Sequence, residues 1–241
     1  MPLKGKNGLI IIVIAGIMIA VAAIIFIKKP GTPEQKRPQP VIPTLKTSGV
    51  QREAPAAVSP ATELAPKEDL VLYDFESTLD GWEIPEWALE KEDHVTRSID
   101  RSQDFAKTGS SSMKLMTEFP GTQWTAAFIE AEKFFYWGPY GRITAAIYLP
   151  QDAPKGLKAR FVLTVGKDWK FTEMNRAIYL NPGEWNILSA TLTPGSEDWQ
   201  MTVVDDNFRK DVRKVAVRIE SNKKPAYSGP VYIDDIRLSY K

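Results

Sequence analysis

The sequence runs to 241 residues with 31 basic and 30 acidic side chains, a net charge of +1, a single histidine and no cysteine. Without cysteine there is no disulfide and no Cys/His zinc site, and a Ser-His-Asp triad would have to use His94, with no serine framed by nucleophile-elbow glycines. The charge is divided, residues 1–68 carrying +5 and residues 69–241 carrying −4; an acidic main body is a poor partner for a phosphate backbone, which sets nucleic acid aside.

In chain order, the first feature is an uncharged apolar run, residues 8–27, long enough to cross a hydrocarbon core as one helix. It exceeds the apolar core of a cleaved signal peptide and is followed by Lys28 and Lys29 rather than a small-residue cleavage site, so residues 1–29 are expected to be a single-pass membrane anchor. The flanking basic residues, Lys4 and Lys6 against Lys28, Lys29, Lys36 and Arg37, would by themselves hold the larger part in the cytoplasm. Long domains cross largely regardless of charge, however, and the segment after the span reads as a stalk, so the C-terminal domain is expected to be extracytoplasmic. Residues 30–68 hold eight of the eighteen prolines and almost no aromatic residues, the composition of a disordered linker.

From residue 69 onward short alternating runs are punctuated by Gly, Pro and Asn. They predict strands at Leu70–Glu76, Ser111–Thr117, Trp124–Glu132, Arg142–Leu149, Lys158–Val165, Met174–Leu180, Glu184–Leu192, Val212–Glu220 and Val231–Ser239. Helical turns are expected only at Ser102–Ala106 and Asp205–Lys210. The pattern indicates an all-β domain, residues 69–241, built as a two-sheet jelly-roll sandwich with its first and last strands side by side. In the last strand, strict alternation puts Asp234 on one face with Tyr232, Ile236 and Leu238. A carboxylate among apolar neighbours needs a cation or several hydrogen-bond donors, unless the strand end is solvated.

Three stretches, YDFESTLDGW (73–82), SQDFAKTGSSSMKL (102–115) and VYIDDIRL (231–238), together with PGEWNILSATLTPGSEDW (182–199), resemble the galactose-binding-like jelly-roll carbohydrate-binding modules in order and spacing. The resemblance implies a non-catalytic module for polysaccharide or cell-surface glycan. It also implies a structural calcium ion held by the Glu76 and Asp104 carboxylates, the Lys107 carbonyl and Asp234, with the Asp74 carbonyl as a further ligand. Calcium takes six to eight such oxygens and would answer the need of Asp234. Asp104 stands where related modules often carry the longer Glu; the alternative is a hydrogen-bonded polar cluster without metal.

Sugar recognition needs flat aromatic faces flanked by polar groups. Trp169, in GKDWKFTE, has that setting, with Glu173 and Arg176 as hydroxyl partners; Trp124, Trp137, Tyr140 and Trp199 are further candidates, with Tyr136 and Trp87 behind them. Trp82 and Trp185 are assigned to packing. The competing readings are an envelope structural or protein-interaction domain of the same fold and, less favoured, a glycan-active enzyme using paired carboxylates.

Overall fold

The computed structural model describes residues 68–200 and 202–241. The expected membrane span and the linker up to residue 67 lie outside the described residues; among the described residues no helix is long and apolar enough to cross a membrane.

Among the described residues thirteen strands form two antiparallel sheets. The six-stranded sheet runs β10 (Trp185–Thr191), β6 (Tyr140–Tyr148), β13 (Tyr227–Tyr240), β4 (Ser112–Phe119) and β3 (Thr96–Ser102), with β1 (Leu70–Tyr73) also paired to β13. The seven-stranded sheet runs β11 (Trp199–Gln200), β8 (Lys170–Met174), β7 (Lys158–Val165), β12 (Val212–Asn222), β5 (Trp124–Phe135) and β2 (Trp82–Glu83), with β9 (Ile178–Tyr179) beside β7. Among the described residues helix is limited to α1 (Glu86–Leu89) and α2 (Asp206–Lys210). The first and last strands pair as expected, Leu70 opposite Leu238.

The core lies between the sheets because one face of each strand is apolar. On β12, Val215, Val217 and Ile219 are buried inward while Lys214, Ala216, Arg218 and Glu220 take the outer face; Phe161, Leu163, Ile129 and, from the facing sheet, Ile143, Ile147 and Ile233 complete the layer. Each such side chain contributes about 1.5–3 kcal/mol by leaving water. The first motif turns at Asp80 and Gly81, both with positive φ (49° and 82°), and delivers Trp82 edge-on against Tyr73 at 5.5 Å, so Trp82 packs as expected.

Several expectations need correction. Residues 102–106 form the end of β3 and an irregular loop, not a helical turn. The strand expected at Met174–Leu180 is reduced to β9 at Ile178–Tyr179; Met174 instead ends β8, whose Lys170–Glu173 lie outside the expected strand, and a turn at 175–177 separates the two. Strands β2, β3 and β11 and helix α1 had no expectation. α2 lies where a helical turn was expected, its first turn capped by Asp205, which accepts the Phe208 N–H at 2.8 Å. The last strand does not alternate strictly: Asp235 has φ 52°, and the register to β6 jumps from Asp234–Ala146 to Arg237–Thr144. This bulge reverses the phase, so Val231 and Ile233 point inward before it and Ile236 and Leu238 after it, and Asp234 does not share a face with the latter pair.

Candidate functional site

The residues expected to hold calcium lie on or against the loop 104–111, each carboxylate with its own partners. Asp234 is fully buried; the N–H groups of Lys107 and Thr108 donate to its Oδ2 at 2.7 and 3.1 Å and that of Asp235 to its Oδ1 at 2.6 Å. Burial pushes its pKa up, and these N–H groups pull it back. Glu76 accepts from the Ser111 N–H at 2.9 Å, the Ser110 N–H at 3.0 Å and the Ser110 hydroxyl at 2.9 Å, and these bonds lower its pKa. Gly109, at φ 65°, lies against that carboxylate, where any Cβ would collide with it. Asp104 is turned to Lys114 Nζ at 2.7 Å and the Tyr232 hydroxyl at 3.0 Å, with Lys114 the larger cause of its lowered pKa. Among the described residues no three acidic or imidazole side chains gather as a ligand group. Oxygen donors of the kind calcium takes are present on Glu76 and Asp234, and the groups turned to them are backbone N–H donors, which supply what the buried carboxylate requires.

The second locus is the outer face of the seven-stranded sheet. Strand register lays its outward residues in rows: Glu132–Lys214–Thr164–Phe171, then Glu130–Ala216–Val162–Glu173, then Phe128–Arg218–Arg160, with Trp124 beyond. Phe128, Val162 and Ala216 form a small buried cluster separate from the main core, an apolar floor. Beside it is a ring of charges. Arg160 reaches Glu220 at 2.7 Å and Glu173 at 3.3 Å, and Arg218 reaches Glu173 at 2.7 Å and Glu220 at 3.1 Å, so each carboxylate lies between two guanidinium groups. Lys214 joins Glu130 at 2.7 Å and Glu132 at 3.0 Å.

Above this floor stand Trp87, Trp124, Trp169 and Phe171, each 41–46% exposed. Trp87 meets Phe128 edge-on at 5.0 Å with Lys91 Nζ 4.9 Å from its ring, and the Arg218 guanidinium lies 5.8 Å from Trp124. Two hollows of about 260 and 290 Å³ result, the first bounded by Trp124 and Arg218, the second by Trp169 and Lys214; Trp87, Phe128 and Phe171 line both, so they form one groove. A larger hollow of about 740 Å³ lies between residues 165–170 and 202–208, but its lining aromatic, Phe208, is buried. His94, on the groove wall, is itself buried: its Nε2 accepts the Phe128 N–H at 3.1 Å, and burial lowers its pKa. It ties β5 to the preceding loop.

No protein-family model matches the sequence, and no curated protein matches it. Solved structures do. The chain is similar to CBM27-1 of Caldicellulosiruptor saccharolyticus, solved in complex with mannohexaose, at 19% identity and a TM-score of 0.51, covering 70% of this chain and 96% of that one. It is also similar to CBM28, described as a non-crystalline cellulose specific carbohydrate-binding module, at 15% identity and a TM-score of 0.53, covering 70% and 94%. The fold is that of the β-sandwich carbohydrate-binding modules.

Within this carbohydrate-binding-module fold the expected sugar residues separate. Trp169, Trp124 and Glu173 are brought together on the groove face. Trp137 and Trp199 are not: Trp137 is 1% exposed and packs on Phe135, and Trp199 is 5% exposed, packs on Phe208 and donates its indole N–H to the Thr191 carbonyl at 2.8 Å. Tyr140 is half-buried on the other sheet, against the core, and Arg176 is exposed in the turn between β8 and β9, outside the groove lining. Trp185 is half-buried against Tyr148, as a packing residue should be. Phe171, Phe128 and Arg218 carried no expectation. Phe171 was detectable, because Thr172 and Met174 are the inward residues of β8 and a phenylalanine in the outward phase is out of place there.

Proposed function

We propose that this chain binds polysaccharide or cell-surface glycan without cleaving it, in the groove of the seven-stranded sheet. The observation that carries the proposal is the row of four half-exposed rings, Trp124, Trp87, Phe171 and Trp169, over an apolar floor of Phe128, Val162 and Ala216 with paired Arg and Glu side chains beside it. The C–H face of a pyranose stacks on such rings, and hydroxyls leaving water find fixed donors and acceptors in Arg160, Glu173, Arg218 and Glu220. Hydrolysis is disfavoured because Glu173 and Glu220 are each committed to two guanidinium groups rather than directed at a scissile bond.

Anchoring by residues 8–27, and display of the domain outside the cytoplasm on a Pro-rich linker with a reach of about 100 Å, complete the proposal. Calcium at Glu76, Asp104, Lys107 and Asp234 is a separate proposal, in which the ion takes over from the N–H donors on Glu76 and Asp234 and from the Lys114 ammonium on Asp104. Chelator is expected to lower the melting temperature and added calcium to restore it; an unchanged melting temperature refutes it. The glycan proposal is tested on a multivalent array of plant, algal and bacterial polysaccharides, since single-site dissociation constants in such grooves run from about micromolar to millimolar. Signals that disappear in Trp124→Ala and Trp169→Ala support it, and a blank array moves the groove to a protein partner.

A further inference from the structure

The Trp169 indole is not held by its own strand. It closes the β7–β8 turn with φ 53°, a left-handed conformation that a bulky residue rarely adopts, and is 43% exposed. What meets its ring is Arg213, whose guanidinium carbon lies 5.0 Å from the Trp169 centroid and 5.0 Å from that of Phe134, itself 71% exposed. The cation thus contacts two exposed rings.

Arg213 reaches this place through a slip in the sheet. Between Val212 and Lys214 the register shifts on both sides of β12: β7 offers no residue opposite Arg213, and β5 offers two, Lys133 and Phe134. Such an irregularity re-aims a side chain. Asp211 then fixes it, its two carboxylate oxygens accepting from Arg213 Nε and Nη2 at 3.1 Å each. The carbonyl of the same Asp211 accepts the Gly166 N–H at 2.7 Å, and the Gly166 carbonyl accepts the Trp169 N–H at 3.1 Å. One residue therefore anchors both the turn that carries the tryptophan and the arginine that contacts its ring.

We propose that Arg213 is a positioning residue of the groove, holding the Trp169 ring as a preset platform at one end while Trp124 forms the other. The inference rests on the glycan reading for its purpose but not for its geometry. A platform fixed before the ligand arrives avoids ordering a large side chain on binding, and a cation on one side of the indole leaves the other to a sugar.

The test uses the full chain labelled with 5-fluorotryptophan, the Trp169 and Trp124 resonances being assigned by Trp169→Phe and Trp124→Phe. In Arg213→Ala the Trp169 resonance is expected to shift while that of Trp124 stays, and Arg213→Lys, which keeps a cation, should move it less. Glycan affinity in Arg213→Ala should fall roughly 3- to 10-fold. That loss should vanish in a Trp169→Ala background and persist in a Trp124→Ala background. A Trp169 resonance that does not move overturns the bracing whether or not sugar binds. A moved resonance with unchanged affinity overturns the positioning role. A wild-type chain that binds no glycan refutes the groove reading itself and removes the role with it, a failure distinct from an unmoved resonance.

Discussion

The two outer faces of the sandwich are both aromatic and differ in what lies over them. Across the six-stranded sheet the register gives one continuous row, Trp185–Tyr148–Tyr232–Lys114. Over it Phe105 stacks on Tyr148 at 4.4 Å and meets Tyr232 at 5.0 Å, and the loop that carries Phe105 is held down by Glu76 and Asp234. Across the seven-stranded sheet the rings come instead from α1, the start of β5 and the β7–β8 hairpin, and stand above a floor that nothing among the described residues closes. Aromatic content is therefore not the mark of a site. The first face packs its rings against a loop of its own chain, and the second leaves them exposed.

The largest effect should come from releasing the covered face. Asp234→Ala leaves three N–H donors without their acceptor and should destabilise the domain by about 3 kcal/mol, lowering the melting temperature by roughly 6–12 °C; glycan binding by the intact fraction should survive. Substitutions in the two aromatic sets should then separate cleanly. Trp124→Ala and Trp169→Ala are each expected to weaken glycan binding about tenfold, read by calorimetry, with little change in melting temperature. Trp185→Ala should cost about 1–2 kcal/mol of stability with affinity unchanged.

The smallest effect is the pH dependence of the loop. The Glu76 pKa is lowered in the folded protein, so its stabilisation is complete above the ordinary value of 4.5 and is lost as pH falls through the lowered one. Glu76→Gln should accordingly be less stable than wild type at pH 7, with the gap narrowing below about pH 4.5, as followed by thermal melts across that range.

Much of the sandwich is legible in the alternation of β4, β6, β7, β10 and β12, because one face is polar and the other apolar. What is not legible has a physical cause in each case. β5 is buried on both faces from Thr125 to Ala131, since Phe128 and its neighbours lie under α1, so periodicity cannot show that Phe128 belongs to the groove. The bulge at Asp235 reverses a phase that sequence spacing takes as continuous, which wrongly groups Asp234 with Ile236 and Leu238. Trp137 and Trp199 sit among Gly, Pro, Asp and Tyr in the chain, yet contacts distant in sequence bury them: the Trp137 N–H donates to the Arg209 carbonyl, and Phe208 covers Trp199. Trp169 was legible from its polar flanks; Arg213, which braces it, was not, because only the register slip turns it that way.

On the proposed function the open face, and not the covered one, binds glycan. Affinity electrophoresis of the full chain through gels containing soluble polysaccharides, comparing wild type, the Trp124→Ala/Trp169→Ala double variant and Trp185→Ala, tests it most directly. At least one polysaccharide is expected to retard wild type and Trp185→Ala alike and to leave the double variant unretarded. Equal retardation of all three proteins, or loss of retardation in Trp185→Ala alone, would contradict it.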